Sequence, residues 1–149
     1  MIQFGMVTRA MFFDQQKVKR AVDAATRKVF GHFGGFVRKV ARQSIRTRKR
    51  ISRPGEPPSS HAGLLKRFIF FGYDRDRRSV VIGPMGLNQK AGDAPAALEY
   101  GGKSRVVVGL RRSRRLDRVV SIRPRPYMGP AFEKGKERLP AFWAESVSV

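Results

Sequence analysis

The chain has 149 residues, 41% of them hydrophobic, with 32 Lys and Arg against 11 Asp and Glu, a formal net charge of +21, and no cysteine. That length and apolar content suit one domain (1–149) with a real core rather than a disordered basic tail. The missing cysteines exclude a disulfide framework, a thiolate metal site and a cysteine nucleophile. No run approaches the ~20 apolar residues of a membrane-spanning helix. Residues 1–13 are apolar but lack the basic start and small-residue cleavage site of a signal peptide.

In chain order, residues 1–8 alternate Ile2, Phe4 and Met6 with Gln3 and Gly5, a strand pattern. Asp14 stands where it can cap a helix starting near Gln15. Apolar residues then recur at Val18, Val22, Ala25, Val29, Phe33, Phe36 or Val37, Val40 and Ile45, at spacings of three and four that predict a long helix over 15–45. Gly31, Gly34 and Gly35 interrupt it and point to a kink or to close approach by a neighbouring element. Residues 52–63, with Pro54, Pro57 and Pro58, form a loop. The aromatic stretch 64–73 reads as a buried strand, and after a polar tip at 74–78 a second strand follows over 79–83, making a hairpin. Residues 84–93 are loop. Residues 94–100 form a short helix, with Pro95 near its start and Gly101 and Gly102 after its end. Residues 105–110 and 118–122 predict a second hairpin around a tip at 111–117, which carries much of the chain's second basic run. A last helix runs over 130–146, turning Phe132, Leu139, Phe142 and Trp143 inward and Glu133 and Lys136 outward. The fold class is therefore α+β: a long N-terminal helix, a small antiparallel sheet built from hairpins, and a C-terminal helix packed on the sheet.

The charge is clustered. Of the basic residues, 22 are Arg and 10 Lys, and the planar guanidinium suits bidentate bonds to phosphate and carboxylate. One run, over 38–53, contains Arg46, Arg48, Lys49 and Arg50 and no acid; another, over 103–125, packs Arg111, Arg112, Arg114 and Arg115 into five positions. A solvated basic face is the plain alternative, but so large an excess on one small domain repels itself unless an opposite charge is near. The eight residues just named are the candidate contacts to DNA or to an acidic partner. No zinc finger, helix-turn-helix, aromatic RNA-binding pattern or GxxG clamp accompanies them, so base-specific reading is not expected.

Little here suggests catalysis. Ser59, Ser60 and His61 are adjacent, but adjacent residues rarely present a serine and its base in attack geometry, and no GxSxG elbow surrounds them. His32 sits between helix aromatics without a second ligand at metal spacing. The glycine pairs lack the GK[ST] of a phosphate loop, and the carboxylates are scattered. No catalytic residue, metal or cofactor is expected.

Three motifs in order carry a family resemblance: Gly63-Leu64-Leu65 after the Pro/Gly loop, Leu98-Glu99-Tyr100-Gly101, and Arg125-Pro126-Tyr127-Met128-Gly129-Pro130-Ala131. With the long first helix, they resemble the tail-completion and neck (head–tail connector) proteins of long-tailed lambda-like bacteriophages, the family named after gene product ten. The chain departs from the shorter family pattern in a basic hairpin inserted between the two late motifs, about 103–122, and in its overall basicity. The resemblance implies a non-enzymatic virion protein, made in the host cytoplasm, that forms a homo-oligomeric ring at the head–tail junction. A hexamer is the expected copy number. Implied partners are the neighbouring head-completion or adaptor protein and the tail-tube or tail-terminator protein, with packaged DNA in the lumen as a further candidate. A tail-terminator role is a near neighbour of this reading. From the residues alone, Gly101 should end its helix in a left-handed conformation, Pro126 and Pro130 should stiffen entry to the last helix, and Tyr127 and Met128 should pack on the sheet. The competing reading is a sequence-nonspecific nucleic-acid-binding protein that uses its Arg-rich clusters.

Overall fold

The computed structural model describes residues 15–87, 94–109 and 115–146. The strand expected at 1–8, the Asp14 cap, most of the loop at 84–93, and Arg111, Arg112 and Arg114 lie outside these residues.

Helix α1 spans Gln15–Ser44, close to the expected range. Its 30 residues extend about 45 Å at 1.5 Å each. Ser44 ends it, the hydroxyl donating back to the Ala41 carbonyl at 2.8 Å. The helix therefore ends within the first basic run, after Arg38, Lys39 and Arg42. Arg46–Thr47 instead form a short strand, β1, paired in parallel with β2, Ser59–Ser60. The Pro/Gly segment between them, expected as plain loop, is closed at its neck by that pairing.

Residues 64–73 are not one strand. Leu64–Arg67 make a single helical turn, α2, before β3, Ile69–Asp74. Gly63 lies at φ +70°, a left-handed conformation open to glycine at little cost. It turns the chain so that the Arg67 and Phe68 amides bond to the Gly63 and Leu64 carbonyls, each at 3.0 Å. β3 pairs antiparallel with β4, Ser79–Pro84, from Ile69↔Pro84 to Asp74↔Ser79. Ile69 is buried, whereas Phe70 and Phe71, expected inside, remain partly exposed in a hairpin that is only two strands wide.

Helix α3 covers Ala94–Tyr100, as expected. Gly101 follows at φ +80° and Gly102 at φ +133°. The second hairpin is longer than its apolar cores suggest: β5 is Gly102–Gly109 and β6 is Arg115–Ile122, in register from Gly102↔Ile122 to Gly109↔Arg115. The strands begin directly at the helix end because the two glycines reverse the chain there. Helix α4 runs Met128–Ala144, starting two residues earlier than expected and carrying Pro140 inside it.

The core is built on one stripe of α1, where Phe33, Val37 and Ala41, continued by Ile45 just past its end, meet Leu65, Ile69, Tyr127 and Ala131. Full burial of each large apolar side chain contributes roughly 1.5–3 kcal/mol. Two glycines set the spacing. A Cβ on Gly34 would lie 2.6 Å from Phe71 Cδ2, so β3 approaches α1 where the sequence pointed to a close contact. A Cβ on Gly135 would lie 2.5 Å from Val37 Cγ2, so α4 crosses α1 at that point. Phe142 reaches His32 and Phe36 edge-on. Phe132, expected inward, is 44% exposed, although its ring meets Phe33 edge-on at 5.6 Å. No helix among the described residues is long and apolar enough to cross a membrane.

Candidate functional site

The two late motifs are joined at one place. A helix leaves its first four backbone N–H positions without internal partners; in α4 these are Tyr127, Met128, Gly129 and Pro130, counted from the residue that caps it. Tyr127 offers no side-chain cap, and the first turn of α4 holds no acid. The partner comes from α3. Glu99 Oε2 accepts the amides of Tyr127 at 2.9 Å and Met128 at 3.0 Å, and Oε1 accepts that of Gly129 at 2.7 Å. Pro130 has no N–H, so all four positions are accounted for. Gly129 also leaves room for this: a Cβ there would stand 3.1 Å from Oε1. A carboxylate at a helix start further gains from the helix dipole.

Neighbouring bonds extend the knot. The Arg125 amide donates to the Leu98 carbonyl at 2.6 Å, and the Gly55 amide to the Pro124 carbonyl at 2.9 Å. Arg125 Nε reaches the Ser52 carbonyl at 3.1 Å. The Pro/Gly segment, α3 and the start of α4 thus converge on the four residues 123–126. Pro126 leads directly into Tyr127, which is buried in the core with Ile69 of β3; Met128 packs beside it near Ile82 of β4, so both lie against the first hairpin as expected. Tyr100, one residue from the carboxylate, is 83% exposed. Gly63 and Leu64, the first motif, belong to the separate turn that opens α2, where Leu64 is half exposed.

The basic candidates divide. Arg46, Lys49 and Arg50 are exposed. Arg48 is half-buried; its Nε donates to Ser59 Oγ at 2.9 Å and its Nη2 lies 3.9 Å from Glu56, so it ties β1 to the Pro/Gly segment. Arg115 opens β6 opposite Gly109. Ser59 and Ser60 are strand residues of β2, and His61 beside them is exposed. Among the described residues no three His, Asp or Glu side chains gather as a metal site.

Exposed apolar side chains accompany these features: Val81 and Met85 on the first hairpin, and Val119 and Val120 on β6. Both hairpins are two-stranded, so among the described residues each keeps its outer edges unpaired. The role of Glu99 was not visible in the sequence because its bonds span 28 to 30 residues. A usable signal was present all the same: a proline three places into a helix whose first turn carries no acid.

Comparison with known proteins finds no family model, no curated protein and no solved structure that matches the chain.

Proposed function

We propose that this chain is a non-enzymatic structural protein of a bacteriophage virion, assembling as a ring at the head–tail junction and joining the DNA-filled head to the tail. The observation that supports this best is the Glu99 knot. The Leu98-Glu99-Tyr100-Gly101 and Arg125–Ala131 motifs, which carry the resemblance to neck proteins, are here two halves of one hydrogen-bonded construction. A ring needs two different complementary patches on each subunit, repeated until the rotation closes. The exposed Tyr100, the apolar pair Val119 and Val120, and the unpaired hairpin edges supply surface of that kind. Long unpaired edges are ordinarily blunted or covered, and a neighbouring subunit would cover these by adding its own strand.

In such a ring each copy brings a charge of +21, which requires acidic neighbours above and below or DNA in the lumen. The segment from Arg46 to Arg50 and the arginines Arg111, Arg112, Arg114 and Arg115, the last of which opens β6, are the proposed contacts. Replacing these four arginines of the second run by Glu should leave the circular dichroism spectrum of the subunit unchanged and abolish the joining of filled heads to tails. Normal yields of infectious particles from that variant would refute the assignment. Size measured by light scattering at low and high salt gives a second check: a discrete closed oligomer is expected, and a monomer at every concentration would remove the ring.

A further inference from the structure

Among the described residues, two clefts are lined by several cations, and they differ in one respect. The first, about 320 Å³, lies between α1 and the tip of the first hairpin and brings together Arg27, Arg75 and Arg78. It contains its own counter-charge, since Asp23 lies 3.6 Å from Arg78. The second, about 370 Å³, lies where α2 meets the flank of α1. Its walls are Arg38, Lys39, Arg42 and Gln43 from α1 and Lys66 from α2, over a floor at Gly35. No carboxylate lines it.

The second groove is built, not incidental. Arg38 is held from below: its Nε donates to the Ile69 carbonyl at 2.8 Å and its guanidinium lies 5.7 Å from the centre of the Phe70 ring. That leaves its outer nitrogens available and fixed in direction. Arg38, Arg42 and Lys66 are half-buried, so their charges are less screened than those of freely exposed side chains. Arg38 and Arg42 stand one helical turn apart, and Lys66 faces them from a separate element. Gly35, lacking a side chain, keeps the floor open.

We propose that this groove binds the phosphates of a nucleic-acid backbone without regard to sequence. Duplex DNA carries one negative charge per ~1.7 Å of axis, so a short stretch neutralises all four cations at once. A protein surface would have to gather four separate carboxylates in the same space. Arg, Lys and Gln are all side chains that bond phosphate oxygens. No aromatic ring lines the groove, so no platform is present on which unstacked bases would rest. Three of its cations, Arg38, Lys39 and Arg42, belong to the helical part of the 38–53 run, apart from the Arg46–Arg50 segment assigned to head–tail joining.

The test uses the full chain and a short fluorescent duplex of random sequence, with anisotropy followed across a salt series. Replacing Lys39, Arg42 and Lys66 by Gln removes three cations and leaves the Arg38 anchor in place. Each lost phosphate contact lowers the slope of log affinity against log salt by about 0.9. The triple variant should therefore lose about 2–3 of slope and at least about tenfold in affinity at moderate salt. The single variant Lys66→Gln, which changes only α2, should lose about 1 of slope and keeps the proposal testable if the triple variant folds poorly. A matched variant with Lys19, Arg20 and Lys28 changed to Gln should lose clearly less. Equal losses in both sets, or no loss in either, would overturn the proposal. So would displacement of the duplex by poly-glutamate at equal charge, which would assign the groove to an acidic protein. Ring formation is read by particle size and duplex binding by anisotropy, so the two proposals fail separately.

Discussion

At the scale of single residues, Glu99 connects more of the molecule than any other carboxylate described. It accepts three amides from the start of α4, and hydrogen bonds to a charged acceptor are about twice as strong as neutral ones. Glu99→Ala leaves those amides facing a partly buried space and should cost about 2–3 kcal/mol of unfolding free energy. Glu99→Gln keeps one carbonyl oxygen as acceptor and should cost clearly less. Urea unfolding followed by circular dichroism measures both, and a wild-type midpoint for the alanine variant would contradict the cap. The adjacent Tyr100 behaves oppositely. Being 83% exposed, its replacement by Ser should change stability by less than about 0.5 kcal/mol while weakening self-association seen by light scattering. A loss of stability without a change in association would show that Tyr100 serves the fold alone.

Between elements, spacing is set by glycines whose effects differ in sign. A Cβ on Gly31 in α1 would have no neighbour within 4 Å, whereas a Cβ on Gly135 in α4 would collide with Val37 and Phe33, both buried. Gly31→Ala should therefore raise stability by about 0.5–1 kcal/mol through helix propensity. Gly135→Ala gains the same propensity but forces the two helices apart, and should be destabilising overall by about 1–2 kcal/mol. Thermal unfolding of the pair decides it; two stabilised variants would mean that the α1–α4 crossing is loose. Helix α1 was legible in the sequence because its apolar residues repeat every three or four positions over many turns, and α3 because proline and glycine bracket it. The close approach at Gly34 was legible for the same reason, a glycine out of place in a long helix. The turn of α2 was hidden, since an aromatic run looks like a strand whatever its first four residues do. The Glu99 cap and the cationic groove were hidden for a different reason. Each is made by residues from two elements, and periodicity within one element carries no information about the other.

For the whole molecule, the dominant quantity is the unbalanced charge of +21. The three described ion pairs all involve exposed or half-exposed side chains, and such pairs contribute about 0–1 kcal/mol each. Self-repulsion is thus opposed mainly by screening, whose range falls from about 30 Å at 0.01 M salt to about 8 Å at physiological ionic strength. The melting temperature of the isolated chain should rise as salt increases over that interval, as measured by differential scanning calorimetry. A flat or falling profile would mean that the repulsion is already relieved within the fold. The second hairpin bears on how such a molecule can change over time. It leaves the body at Gly102 and returns at Ile122, its paired partner, and the Leu98–Arg125 and Glu99–Tyr127 bonds fasten the body just beneath that exit and return. The excursion is closed at its root, so its two ends stay together whatever lies between them. Adding or removing residues at its far end costs only slowly growing loop entropy and leaves α3 and α4 in place. The arm can therefore be lengthened, shortened or recharged to suit a new neighbour while the body that carries it stays unaltered.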